Sequence, residues 1–342
     1  MARAKISDVA KQAGLSISTV NRVLNEPEKV REETIKAVLQ AAEAVGFYGL
    51  GTIKSQINTW RPKLRFGFLL LQPTRTFYKM LGAALQAAAE KVEGQRIEVS
   101  IIYAEDLSPE SLANHLITLG ENCDAIGVVA PVHPLITQAV EALAQRNIPV
   151  FALITQLSAT GSVNYVGFDN WKVGRTAAWV FHKFTKGVGK IGILVGNHRF
   201  RCQEMNEAGF RSYFREYAPD TQVLEAISTF ETASVAEEMT EKLIHQHSDL
   251  SALYVAGGGI SGALRALRST GKAGHVHCIG YQMMESTRQG LLDGSLTLAI
   301  SYQLEAFAEV TITGMINAQK AGKDATPQTH ILPFEIYSRE NI

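Results

Sequence analysis

The sequence predicts two unlike parts: a short all-α helix-turn-helix head and an α/β body of two lobes built on parallel sheets. Three observations carry this. Over residues 6–45, apolar side chains recur three and four apart in three short segments. From Lys63 onward, short apolar runs alternate with longer amphipathic ones, the rhythm of strands and covering helices. The chain has 342 residues, 46% of them hydrophobic, which exceeds one compact domain and suffices for a large core.

The elements follow in order. Ile6, Val9, Ala10 and Ala13 line one helix face, and Gly14 breaks the run. Ser16 caps a second helix through Leu24, with Val20, Val23 and Leu24 inward, ended by Asn25-Glu26-Pro27. Residues 32–45 form a third helix closed by Gly46. Residues 49–62 lack a clear apolar period and read as a connector, with a short helix around 53–58. In the body, strands are expected at 64–71, 97–103, 125–129, 149–154, 165–168, 190–195, 223–227, 252–255 and 277–279. Helices are expected at 77–93, 109–119, 135–146, 172–184, 204–217, 232–245 and 260–270. These units are too many for one ordinary open sheet, so two similar lobes are the expected solution. The organisation is therefore 1–48 head, 49–62 linker, 63–342 body.

Net charge is zero, but its distribution is uneven. Residues 1–65 carry eleven Lys/Arg against six Asp/Glu, and the rest carries 22 against 27. A basic head on an acidic body points to a polyanion at the head; ordinary scatter is the competing reading. Cys123, Cys202 and Cys278 lie far apart, without zinc or disulfide spacing, as expected for a reducing cytoplasm. The first residues lack the apolar segment of a signal peptide, and no run is long enough to span a bilayer, so a cytoplasmic protein is expected.

The stretch KISDVAKQAGLSISTVNRVLN carries the sharpest chemistry. A first helix braces, Gly14 turns, and the second helix presents Ser16, Ile17, Ser18 and Thr19 at its N-terminus, where free amides and short hydroxyls suit phosphates and base edges. Arg22 lies one turn on and can grip guanine with two hydrogen bonds. A three-helix bundle for protein contacts is the alternative. Residues 5–48 resemble the head of the LacI (lactose repressor) family. The match runs through Asp8-Val9-Ala10, Ala13-Gly14, Ser16, Thr19-Val20, Arg22-Val23-Leu24-Asn25, Val30, Thr34 and Ala41-Ala42. The resemblance implies that Ile17, Ser18 and Arg22 read bases and that Ser16, Thr19, Asn25 and Thr34 hold phosphates. Lys5 stands where that family usually has a Thr cap, and Asn21 replaces its usual Ser within the reading helix. The family's connector carries Pro-Asn and a Leu that wedges into the minor groove. Here Pro-Asn is absent and Gln56 falls at the Leu position, so Ile53 or Ile57 is the candidate wedge, with a plain flexible linker as the alternative.

Residues 63–342 resemble that family's effector domain, which is similar to periplasmic sugar-binding proteins. Phe77-Tyr78, Cys123-Asp124-Ala125-Ile126, Asn147-Ile148-Pro149-Val150, Asp169-Asn170 with Gly174, Ala208-Gly209-Phe210 and Ile279-Gly280-Tyr281 carry the likeness. Open α/β lobes bind ligands beyond the C-terminal ends of their strands. Sugars need planar polar groups and an aromatic face. Candidates are Gln72, Phe77, Asp169, Trp171, Arg201, Asn206, Gln282 and Gln303. Each has a structural alternative: Phe77 as core, Asp169 as a helix cap, Arg201 as a solvated loop residue. Asn206 sits where many members carry Arg, with Arg201 as a compensating cation. Gln282 replaces an acid, and Gly257-Gly258-Gly259 replaces Asn-Asp. The pocket is expected to have lost charge relative to familiar members.

Gly257, Gly259 and Gly262 also fit a dinucleotide fingerprint, but late in the chain and without an acidic residue after the next strand. No nucleophile elbow, metalloprotease or P-loop motif appears, and the His245/His247 and His275/His277 pairs lack metal spacing. No catalysis, metal or cofactor is expected. The resemblance implies a homodimeric repressor on a pseudo-palindromic operator, controlled by a sugar or sugar-like effector. A nucleoside, a polyol or another metabolite as effector is the alternative, and a nucleotide-dependent enzyme is the remaining rival.

Overall fold

The computed structural model describes residues 4–54, 63–159, 163–185, 189–322 and 326–342. The chain divides into two compact units: Met1–Arg65 with Ala87–Val99, and Phe66–Gln86 with Ser100–Ile342.

The first unit opens with α1 (Ile6–Ala13), α2 (Ile17–Asn25) and α3 (Glu32–Ala44). Gly14 adopts φ +65° after α1, which only glycine enters freely, and so turns the chain sharply into α2. Pro27 starts a single 3-10 turn that separates α2 from α3. Val9, Ala10, Val20, Val23, Ile35, Val38 and Ala42 bury one stripe of each helix in a common core. Residues 50–54 are helical, and Ile53 packs into the same core at 3% exposure. Ile53 is therefore not presented to a DNA groove in this structure. Ile57 lies outside the described residues.

Two sheets of like topology lie largely in the second unit. Strands β1 (Lys63–Leu71), β2 (Arg96–Ala104), β3 (Ala125–Val128), β4 (Val150–Leu153), β5 (Val163–Gly167) and β11 (Thr329–Ile331) form one sheet, ordered β11-β5-β4-β3-β1-β2. Strands β6 (Lys190–Val195), β7 (Val223–Ser228), β8 (Leu250–Val255), β9 (His277–Tyr281), β10 (Leu298–Ser301) and β12 (Glu335–Tyr337) form the other, ordered β12-β10-β9-β8-β6-β7. Strands β1, β3, β4, β5 and β11 pair in parallel, as do β6–β10; β12 runs antiparallel to β10. Phe66, Phe68, Leu69, Leu70 and Leu71 of β1 are wholly buried, as strands covered on both faces must be. The connecting helices are α4 (Thr76–Glu90), α5 (Pro109–Asn122), α6 (Pro134–Gln145), α7 (Asn170–Thr185), α8 (Arg201–Tyr217), α9 (Ala233–Gln246), α10 (Ile260–Ser269), α11 (Glu285–Asp293) and α12 (Leu304–Ala321).

The chain passes between the lobes three times: after β5, after β10 and between β11 and β12. The crossings are bound by aromatic rings. Phe168 stacks on Tyr302 with centroids 3.4 Å apart, and Phe334 meets Phe168 edge-on at 5.8 Å.

Candidate functional site

Helix α2 presents two faces. Val20 and Val23 are buried, while Ser16, Ile17, Ser18, Asn21, Arg22 and Asn25 are exposed. Ile17 stands 52% exposed, a cost in water that a docked partner would remove. Ser16 Oγ accepts from Thr19 N at 3.1 Å and lies 2.8 Å from the hydroxyls of Ser18 and Thr19. The helix thus begins with three clustered hydroxyls at the end where backbone N–H groups point outward. Asn25 donates to Asn21 O at 2.9 Å and finishes the helix. Thr34, in the first turn of α3, is half-buried. At α1 the backbone N–H of Lys5 donates to Asp8 at 2.7 Å, and Asp8 N donates to Lys5 O at 3.0 Å, so the first turn closes without a Thr hydroxyl.

A cavity of about 510 Å³ opens between the lobes, at the C-terminal ends of β1, β3, β4, β6, β8, β9 and β10. Gln72, Phe77, Asn206 and Gln282 line it. Asn206 is 3% exposed, and its Oδ1 has no partner; Gln72 Oε1 is likewise buried and unpaired. These are two of the three unpaired buried side-chain polar atoms among the described residues, and both are acceptors. Gln282 is spent otherwise. Its amide accepts from Tyr302 N at 3.2 Å and donates to Tyr302 O at 3.5 Å, holding the second crossing.

The other candidates do not reach the cavity wall. Asp169 accepts from Lys172 N at 3.2 Å and caps α7, its structural alternative. Trp171 is 36% exposed on α7. Arg201 is the exposed first residue of α8, and Gln303 donates to Glu335 Oε1 at 2.5 Å outside the cleft. Helix α8 begins three residues before its expected start. Arg201 then faces out, while Cys202, Gln203 and Asn206 face in at helical spacing.

The cleft contains an ion pair. Arg75, from the loop after β1, pairs with Glu231, from the loop after β7, at 2.5 Å across the lobes. The Glu231 side chain is 4% exposed. Its other oxygen accepts from Gln203 Nε2 at 2.6 Å, and Gln203 Oε1 accepts from Gly196 N at 2.6 Å and Asn197 N at 3.1 Å. The Arg75 guanidinium lies 4.9 Å from the centre of the Tyr78 ring. Burial alone would lower the pKa of Arg75, but Tyr78 and Glu231 outweigh it and hold the guanidinium firmly charged. Two further contacts close the lobes: Val132 N donates to Arg199 O at 2.8 Å, and Cys202 N to Thr155 Oγ1 at 3.3 Å. Burial pushes the Cys202 thiol up to about 12, against the hydrogen bond from Thr155.

The glycine run is explained by these side chains. A Cβ on Gly257 would lie 2.3 Å from Gln203 Oε1, and one on Gly258 2.2 Å from Glu231 Oε2. One on Gly262 would strike Ala233 O, where α10 crosses α9. Gly259 stands at φ +105°, and a Cβ there would lie 2.5 Å from Ala236 Cβ, so the three glycines that fit a dinucleotide fingerprint are needed for packing within the chain itself.

Comparison with known proteins agrees with both halves. The model of bacterial regulatory proteins of the lacI family matches residues 5–49, and that of the periplasmic binding protein domain matches residues 66–324. The chain belongs to the LacI family of regulators, with a periplasmic binding protein domain as its body. It is 23% identical over 331 residues to the HTH-type transcriptional regulator GalS of Salmonella typhimurium, covering 96% of this chain and 94% of that one. To the ribose operon repressor of Bacillus subtilis it is 26% identical over 238 residues, 69% of this chain and 68% of that one. In fold it matches GanP, a glucose-galactose binding protein from Geobacillus stearothermophilus, with a TM-score of 0.74 at 16% identity, over 82% of this chain and 99% of that one.

This LacI-family chain is a DNA-binding transcriptional regulator. In it, sequence reasoning located the cleft through Gln72 and Asn206 but missed Arg75, Gln203 and Glu231. The usable signal was the rule that places sites at strand ends, applied to β7 as well as to β1. Among the described residues, no helix is long and apolar enough to cross a membrane.

Proposed function

We propose that this regulator is a homodimeric repressor whose two heads read inverted half-sites and whose cleft binds a sugar-like effector. Residues 1–48 act as the head, 49–62 as connector and 63–342 as the sensing and dimerising body. In the head, Ile17, Ser18, Asn21 and Arg22 face base edges, and Ser16, Thr19, Asn25 and Thr34 face phosphates.

The observation that carries the sensing role is the pair of unpaired acceptors, Gln72 and Asn206, in a cleft bordered by Phe77 and Tyr302. A polyhydroxylated ring supplies what this wall lacks: O–H donors for the amide oxygens and C–H surface for the aromatic rings. The relative named as a ribose operon repressor agrees with a monosaccharide. Effector binding couples to DNA only if it favours one arrangement of the lobes over another. We assign that choice to the three crossings, where Phe168, Tyr302 and Phe334 meet. We read the chain as a cytoplasmic regulator and not an enzyme, since the glycine run is consumed by packing and the relatives are regulators.

The test begins with selection of duplexes from a random library by the full chain, where inverted repeats are expected. Fluorescence anisotropy on the selected duplex then follows. A monosaccharide that raises the melting temperature should change operator affinity at least tenfold. Equal affinity at saturating sugar would sink the switch, and sedimentation as a monomer would sink the dimer.

A further inference from the structure

The Arg75–Glu231 pair does more than bridge the lobes. Arg75 is the cation whose guanidinium is aimed at the cleft, and one Glu231 oxygen already occupies it at 2.5 Å. Gln203 fixes the other Glu231 oxygen at 2.6 Å and is itself fixed by two backbone N–H groups. Glu231 also stands at φ +61°, next to Phe230 at φ +50°, so its loop holds two non-glycine residues in the left-handed region. That conformation aims the carboxylate inward. Gly196 and Gly258 clear the space, since a Cβ at either would strike the Glu231 carboxylate.

An anionic ligand would have to draw Arg75 away from Glu231. That would leave a carboxylate of 4% exposure without its counter-charge, which is strongly unfavourable. The unpaired Gln72 and Asn206 oxygens add to the effect: they need donors, and a phosphate or carboxylate oxygen has no hydrogen to give. We infer that Glu231, by occupying Arg75, is the specificity-determining residue that bars anionic ligands from this cleft and restricts it to uncharged polyhydroxylated ones. The inference rests on the sugar-binding reading above and adds a charge filter to it.

Matched pairs of ligands test it: D-galactose with D-galacturonate, and D-ribose with D-ribose 5-phosphate. Each is titrated calorimetrically into the full-length chain, as wild type, Glu231→Gln, and the double variant Arg75→Gln/Glu231→Gln. Wild type should bind a neutral member at least tenfold more tightly than its anionic partner. Glu231→Gln uncovers Arg75 and should move that ratio at least tenfold toward the anion. The double variant should return it toward the neutral member. Circular dichroism verifies that both variants fold, and if Glu231→Gln does not, Glu231→Ala with the same pairs replaces it. Tighter binding of an anion by wild type, or an unchanged ratio in a folded Glu231 variant, overturns the charge filter alone. Failure of all four compounds to bind wild type overturns the sugar reading, and the filter falls with it.

Discussion

Asn206 holds a buried amide oxygen without a partner, and a polar atom in that state costs about 1–3 kcal/mol. The site therefore carries a debt that a ligand hydroxyl can discharge. Asn206→Leu should hold or raise the melting temperature of the unliganded chain while weakening sugar binding at least tenfold. Scanning calorimetry and titration measure the two effects, and a large loss of stability would show that the amide has a structural task. Ser16 illustrates the opposite case, a residue fully satisfied by its own helix. Its Oγ accepts from Thr19 N, so Ser16→Ala should cost about 1 kcal/mol of head stability by urea denaturation. It should also weaken DNA binding on every sequence, not at one base pair. Both residues were legible in the sequence, Ser16 from its place before an apolar period and Asn206 from its place in a motif. Arg75 and Glu231 were not, because they are 156 residues apart and nothing local marks them as partners.

At the scale of elements, the cleft depends on how closely α7 and α8 cross. A Cβ on Gly174 would lie 2.0 Å from Asn206 O, and one on Gly209 2.3 Å from Trp171 O. Backbone touches backbone at both points, so neither helix has a flexible side chain that can yield. Gly209→Ala should cost about 3 kcal/mol, at the upper end of overpacking effects. It should also weaken sugar binding, because Asn206 rides on the helix that must move. Urea titration and calorimetry read these together; a loss of stability with unchanged affinity would uncouple the crossing from the site. The periodicity of α8 was plain in the sequence, but its first turn was not. Residues 201–203 combine Arg, Cys and Gln, with no N-cap side chain ahead of them, so helical spacing emerged only once the cleft gave Cys202 and Gln203 a direction.

Across the whole molecule, buried ionisable groups set a limit at alkaline pH. Burial raises Cys202 and Cys278 to about 12, and lifts Tyr78, Tyr165 and Tyr254 well above the ordinary phenol range. In the unfolded chain the thiols ionise near 9 and the phenols near 10. Between those values and the folded ones, the native state binds more protons than the unfolded state, so stability falls as pH rises. The melting temperature of the full chain should hold up to about pH 8 and drop between pH 9 and 11. A flat profile across that window would contradict the burial of these groups.

The helix-turn-helix head, the alternation of strands and helices and the family are legible in the chain's residues, because these rest on spacing within ten or twenty residues. The hydrophobic period placed most body elements within a few residues of their ends. How the last sixty residues are used emerges from the folded chain. There β10, β11 and β12 and the helix between them divide between the two sheets, and the Phe168, Tyr302 and Phe334 rings meet across three crossings. The fold also sets the electrostatics of the cleft. Gly257, Gly258 and Gly259 looked like charge removed, yet the same space is filled by Arg75, Gln203 and Glu231 from three other segments. The physical reason is common to both. Local periods report which face a residue buries, whereas charge pairing and strand order depend on which distant segments the folded backbone brings within a few ångströms.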